Sequence, residues 1–288
     1  MRMNPKVSLI LGIVCISFSP IFVKLADASP IVSGFYRMTL AWIVLAPYVL
    51  AKGNLRIATK DLLLAFLGGV VFAADIAMWN MSLVLISATV STLIANLAPL
   101  WVGLMSYIFL KKVAGPLFWT GTFIAIAGMA VLVGISNLVH LQINLGLLLA
   151  FAASFFYAMY IMLTKGILRR VNTITFMFYS MLAAAIFFLI ICVIRGDNLL
   201  HYQSTTWFYF AGMGILCQLG GWITINYAIM HLDATKVAIS LLMQTVIACF
   251  LAAFLLNEKL EVKEIVGSVI VLIGIAVTFI KRKTTANY

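Results

Sequence analysis

A shift of 146 residues lays Asn80, Ala88, Thr89, Gly121 and Gly128 of this chain on Asn226, Ala234, Thr235, Gly267 and Gly274. Each copy, residues 1–141 and 142–288, holds five long apolar stretches. An odd number of membrane crossings per copy forces the second copy to run through the bilayer in the opposite sense from the first. Inverted repeats of this kind recur where two mirrored halves move about a site near the midplane.

A helix needs about 20 apolar residues to cross the hydrocarbon. Ten segments meet that need: residues 7–25, 31–50, 62–82, 87–110, 116–136, 144–164, 173–194, 206–229, 235–256 and 262–280. Hydrophobic residues make up 65% of the chain and charged residues 9%, where a soluble domain carries roughly 25% charged residues. The connections are short and polar or glycine- and proline-bearing, as at Ser29 and Pro30, Lys52 to Asn54, Gly115 and Pro116, and Arg195 to Asn198. The expected fold is an all-α integral membrane protein of ten transmembrane helices, arranged as two inverted five-helix repeats that form one unit.

The formal charge of +11 would suit a nucleic-acid partner if it formed a patch. It does not, because the basic residues sit in small groups between the spans, where they act as orientation signals. With the N terminus in the cytoplasm, the inner segments hold Arg2, Lys6, Lys52, Arg56, Lys60, Lys111, Lys112, Lys165, Arg169, Arg170, Lys236, Lys281, Arg282 and Lys283. The outer segments hold Lys24, Arg195, Lys259 and Lys263, and Arg37 lies within a span. This bias places both termini in the cytoplasm of a multi-pass inner-membrane protein. Arg2 and Lys6 precede an apolar run that continues through Pro20 and Phe22 without a small-residue cleavage pattern, so the first span is read as uncleaved. Cys15, Cys192, Cys217 and Cys249 lie in apolar stretches with no paired spacing, which indicates neither disulfides nor a metal site.

Polar groups within the spans are costly and mark places where function resides. Arg37 lies about six residues below the outer end of the second span, roughly 9 Å deep at the helical rise. Asp75 lies at a similar depth on the third and is the one acidic residue well inside a span. The two are expected to approach each other. They form either a structural ion pair or a pair for which a substrate's carboxylate and amine compete, and Asp75 is the candidate for proton coupling. Pro99 withholds an amide from the carbonyl of Ala95, and with Asn96 it predicts a polar notch in the fourth span. Gln244 and Thr245 hold the corresponding depth in the ninth. Ser17 and Gln218 are further polar candidates, and Trp79, Trp101, Tyr157, Tyr160 and Trp222 are candidates for an aromatic lining or for helix packing. Gly121 and Gly128, like Gly267 and Gly274, are seven apart and suit close helix contact, while Gly68–Gly69 and Gly220–Gly221 suit flexing points.

The repeat, Pro30 followed by Arg37, the run from Ala88 and Thr89 through Asn96 and Pro99, and Gly121 with Gly128 occur in a characteristic order. So does Asn257–Glu258–Lys259–Leu260. Together they make the chain similar to the drug/metabolite transporter superfamily, specifically its ten-helix EamA-like members. The resemblance implies a cavity lined by spans one to four and six to nine, with five and ten peripheral. It also implies alternating-access transport of a small solute, an amino acid or related metabolite, commonly outward. The chain departs from the family pattern where Lys112 replaces an acidic residue and Gln244–Thr245 a proline, which leaves the substrate open.

No nucleotide-binding loop occurs, and no cofactor is indicated. A membrane enzyme or binding protein for lipid-linked substrates is the alternative; it would need clustered carboxylates, histidines or a nucleophile. His140, His201 and His231 are scattered, and Glu258, Glu261 and Glu264 read as an exposed helix start. The expected partners are a small-molecule substrate, membrane lipid and protons, with no nucleic acid, and the expected state is a monomer.

Overall fold

The computed structural model describes residues 3–52, 55–86, 88–111, 113–134, 144–255 and 260–280. Arg2, Gly53, Asn54, Lys112, His140, Asn257, Glu258, Lys259, Lys281, Arg282 and Lys283 lie outside the described residues, as do the side chains of Ala88 and Thr89. Among the described residues the regular structure is all helical. In chain order the helices of the first half are α1 (Pro5–Ser17), α2 (Ser19–Leu25), α3 (Pro30–Lys52), α4 (Thr59–Leu85), α5 (Ala88–Ala95), α6 (Ala98–Leu110) and α7 (Pro116–Val133). Those of the second half are α8 (Leu145–Ile167), α9 (Thr173–Arg195), α10 (Ser204–Ala211), a π-helical segment (Gly212–Gly221), α11 (Trp222–His231), α12 (Ala234–Ser240), α13 (Met243–Leu255) and α14 (Val262–Thr278). Nine helical stretches among the described residues are long and apolar enough to cross a bilayer. The tenth crossing is α14, apolar over 17 residues. Exposed Leu63, Ile108, Ile194 and Phe254 face outward, as lipid contact requires.

Two spans are broken at matching places. The fourth is interrupted between Ala95 and Ala98, and the ninth between Ser240 and Met243, so Asn96 of the first break stands one repeat from Leu242 of the second. Both breaks tighten into three-residue hydrogen bonds, Leu97 N to Ile94 O at 3.1 Å and Leu242 N to Ile239 O at 3.1 Å, as 3₁₀ geometry does at helix ends. In the fourth span the cause is visible in the sequence, because Pro99 stands in the first turn of α6 and has no amide to continue α5. The ninth span breaks without a proline. The first span is also interrupted, at Phe18, with Pro20 starting α2.

The π segment distinguishes the eighth span from its unbroken counterpart α4. Its glycines let α1 and α3 lie directly on it: a Cβ at Gly221 would stand 2.6 Å from Ile16 Cγ2, and one at Gly214 would stand 3.0 Å from Leu40 Cβ. Gly221 thus serves close packing. Gly69 does the same, since a Cβ there would stand 2.8 Å from Ser180 Cα on α9.

The fifth and tenth spans pair through the glycines that the repeat aligns. Gly121 faces Gly274 and Gly128 faces Gly267, an antiparallel arrangement that maps onto itself when the copies are exchanged. A Cβ at Gly274 would stand 2.5 Å from Ala125 N, and one at Gly128 would stand 2.6 Å from Val271 N. The helices therefore touch backbone to backbone, where small residues give apolar helices their contact area. Gly274→Ile is expected to lower stability by about 1–3 kcal/mol through forced separation. Gly166→Ala, where an added Cβ has no neighbour within 4 Å, should be neutral or better. Thermal unfolding of both variants in detergent checks the pair.

Candidate functional site

A cavity of about 580 Å³ lies between the two halves, with a wall drawn from Ser17, Ser19, Arg37, Asp75, Trp79, Asn96, Tyr157, Trp222 and Gln244 among others. Among its polar groups is Arg37 on α3. Nε donates to Gln218 Oε1 at 2.9 Å, and an Nη donates to Ser19 Oγ at 3.0 Å. These bonds come from opposite halves of the chain. Ser19 is brought to Arg37 by the interruption at Phe18, and buried Gln218 by the π segment nested on α3. The guanidinium is thus fixed in plane, and two of its five N–H donors are used.

Asp75 on α4 opens on the same cavity, half-buried and electrostatically coupled to Arg37. Both charges line the one cavity, and the hydrogen bonds to Arg37 come from neutral Gln218 and Ser19. A carboxyl group and a multi-donor cation therefore face one space.

Behind Asp75 lies an aromatic floor. Phe72 and Trp222 meet edge to face with centroids 4.6 Å apart, Tyr160 lies 5.2 Å from Trp222, and Tyr157 lies 6.2 Å from it. Trp222 is buried, and among the described residues its Nε1 has no hydrogen-bond partner. Such a donor is costly to leave unpaired. On the opposite wall the breaks of the two repeats meet: Asn96 Nδ2 donates to Thr92 O at 2.8 Å and to Thr245 Oγ1 at 3.2 Å. Gln244 lines the cavity beside Thr245.

Four sequence candidates stand elsewhere. Trp101 is turned away, its Nε1 donating to Ser154 Oγ at 2.9 Å and its ring packed on Phe151 and Phe155. Tyr160 is buried beneath the floor, its hydroxyl bonded to Asn226 at 3.2 Å. Gln218 acts from behind Arg37, and Pro99 shapes the break without joining the lining. Ser17 lines the wall, but its hydroxyl is spent on Ile13 O at 2.6 Å. Sequence reasoning passed over Ser19, Phe72 and Thr92. The Ser19–Pro20 pair was the available signal for Ser19, because proline there shifts the register of the following turn.

The lining also corrects the expected share of each span. The seventh contributes no residue, since α9 packs behind α3 and α4. Leu132 and Val133 at the end of α7, and Glu261, Lys263 and Glu264 at the start of α14, stand at the mouth. Of the expected helix start, Glu261 and Glu264 form a capping box, and Glu261 holds Lys263 at 2.7 Å. The mouth lies on the face opposite the start of α1. At the other face, Lys165 Nζ donates to Ile229 O, Met230 O and Leu232 O at 2.7, 2.9 and 2.7 Å, and Ser8 Oγ donates to Thr224 O at 2.7 Å. The cavity is open on one side and closed on the other.

Replacing Gln218 by leucine removes an acceptor from a charged donor and is expected to cost about 2 kcal/mol. Gln218→Glu keeps an acceptor and should retain the stability. Thermal unfolding followed by tryptophan fluorescence separates the two.

Comparisons with known proteins agree with this architecture. Residues 6–134 and 144–280 match the profile of the EamA-like transporter family. A protein of Archaeoglobus fulgidus described as an uncharacterized transporter is 25% identical over 291 residues, which is 97% of this chain and 99% of the relative. The S-adenosylmethionine uptake transporter of Rickettsia bellii is 25% identical over 241 residues, 83% of this chain and 79% of that protein. A solved crystal structure superimposes with a TM-score of 0.83 at 17% identity, covering 97% of each chain, which is a likeness of fold. The chain belongs to the EamA-like transporter family.

Proposed function

We propose that the protein is a secondary active transporter of an amino acid or amino-acid-derived metabolite, working by alternating access between the halves 1–141 and 142–288. The observation that carries this reading is the juxtaposition of fixed Arg37, half-buried Asp75 and the floor of Phe72 and Trp222 around one cavity. A zwitterionic head matches the two charges. An apolar, planar or cationic body matches the aromatic faces. The Rickettsia relative named for S-adenosylmethionine, an amino-acid derivative with a purine and a sulfonium, supports this class. Efflux is the direction that the family resemblance supports, and the relative named for uptake makes direction part of the test.

Asp75 is the proposed proton carrier, because a carboxylate facing both the cavity and Arg37 can exchange a proton for the substrate's amine as access changes sides. The protein acts as a monomer in the cytoplasmic membrane with both termini inside, a placement that rests on the lysine and arginine bias.

Counterflow in proteoliposomes with amino acids, S-adenosylmethionine and nucleosides, at two pH gradients, tests the reading. Wild type should accumulate an amino-acid-type solute, faster with an imposed gradient. Asp75→Asn should lose the gradient dependence and at least about tenfold in driven rate, or about 1.4 kcal/mol. Equal gradient dependence in the variant sinks the coupling role, and accumulation of no amino-acid-type solute sinks the substrate class. Trp222→Phe keeps one aromatic ring but shrinks the floor, and should raise KM several-fold with kcat little changed.

A further inference from the structure

A second cavity, of about 460 Å³, lies on the face where α1 begins and shares no lining residue with the first. It sits where the helices of both halves end. Phe118 comes from α7 of the first half; Lys165 from α8, Lys236 from α12 and Thr278 from α14 of the second, with Arg169 just beyond α8. Lys165, Arg169 and Lys236 outnumber the one carboxylate of the lining, Asp233.

The cations are not equivalent. Lys165 Nζ donates to the carbonyls that end α11, so its chief contribution to the recess is charge. Arg169 is exposed, with a planar guanidinium suited to phosphate oxygens. Lys236 is half-buried, with Nζ 5.7 Å from the Phe279 ring, and Lys6 Nζ lies 5.8 Å from the same ring. The cavity is therefore a positive recess between transmembrane helix ends, the setting in which anionic head groups bind. Its edge is aliphatic. Val113 is 76% exposed and Ile280 59% exposed, surface that acyl chains would cover and that a free anion has no use for.

We propose that this cavity binds the phosphate of an anionic lipid head group, with Arg169 and Lys236 as its partners and the acyl chains lying over Val113 and Ile280. An occupant there joins helix ends from both halves, and so stabilises the state in which this face is closed. The inference is independent of what the central cavity carries.

Thermal unfolding in nanodiscs of phosphatidylcholine, with and without phosphatidylglycerol, tests it. Phosphatidylglycerol should raise the unfolding temperature of the wild type by at least about 3 °C, as a ligand selective for the folded state does. The rise should vanish in Arg169→Gln/Lys236→Gln. It should persist in Arg56→Gln/Lys60→Gln, which removes equal charge from the same face outside the cavity. Arg169→Gln alone, at an exposed position, should halve the rise and serves if the double variant fails to fold. No rise in the wild type, or a rise that survives both cavity variants, overturns the site. Inorganic phosphate added to phosphatidylcholine discs is the soluble arm, and an equal rise there that the cavity variants abolish overturns the lipid in favour of a free anion.

Discussion

A guanidinium carried into a bilayer must be solvated by the protein itself, and the architecture around Arg37 meets that demand. Its two acceptors come from segments that are not regular α-helix, one just past the interruption of the first span and the other in the π segment of the eighth. Charge and irregular backbone stabilise one another. Without Ser19 and Gln218 the cation lacks partners, and without a wet or protein-lined interior the loosened helices expose unpaired amides to hydrocarbon. Asp75 then makes the interior chemically two-sided, with a donor and an acceptor facing one space.

The second consequence is how the mirrored elements meet. The breaks of the fourth and ninth spans meet through Asn96 and Thr245 at 3.2 Å, one hydrogen bond between the mirrored elements. The glycine contacts of the fifth and tenth spans are by contrast extensive and backbone-close. On the face at the start of α1, Lys165 caps the carbonyls that end α11 within the second half, and Ser8 joins α1 to Thr224 across the halves.

Much of the fold was legible because hydrophobic length and repeat spacing are one-dimensional properties. The spans matched to within a few residues, and Pro99 announced its break because the missing amide is a property of the residue. The break in the ninth span was not legible: Leu241 and Leu242 carry no local signal, and the bend reflects packing against the first repeat. The π segment was likewise hidden, because its cause is the close approach of α1 and α3 to Gly214 and Gly221. For the same reason Trp101 and Tyr160 were placed in the cavity by residue type. A helical residue's face is set by neighbours, and a buried tryptophan or tyrosine that finds Ser154 or Asn226 is withdrawn from the lining.

The amino-acid sequence by itself determined the all-helical membrane class, the inverted duplication and the two charges on which the site is built. Each follows from transfer free energy and periodicity along one chain. Tertiary structure alone decided which groups solvate Arg37, that Trp222 lines the cavity while Tyr160 supports it, and that one face is open and the other closed. Those outcomes depend on hydrogen bonds and ring contacts between residues up to 216 positions apart, and no local pattern specifies which distant partner a polar group will meet.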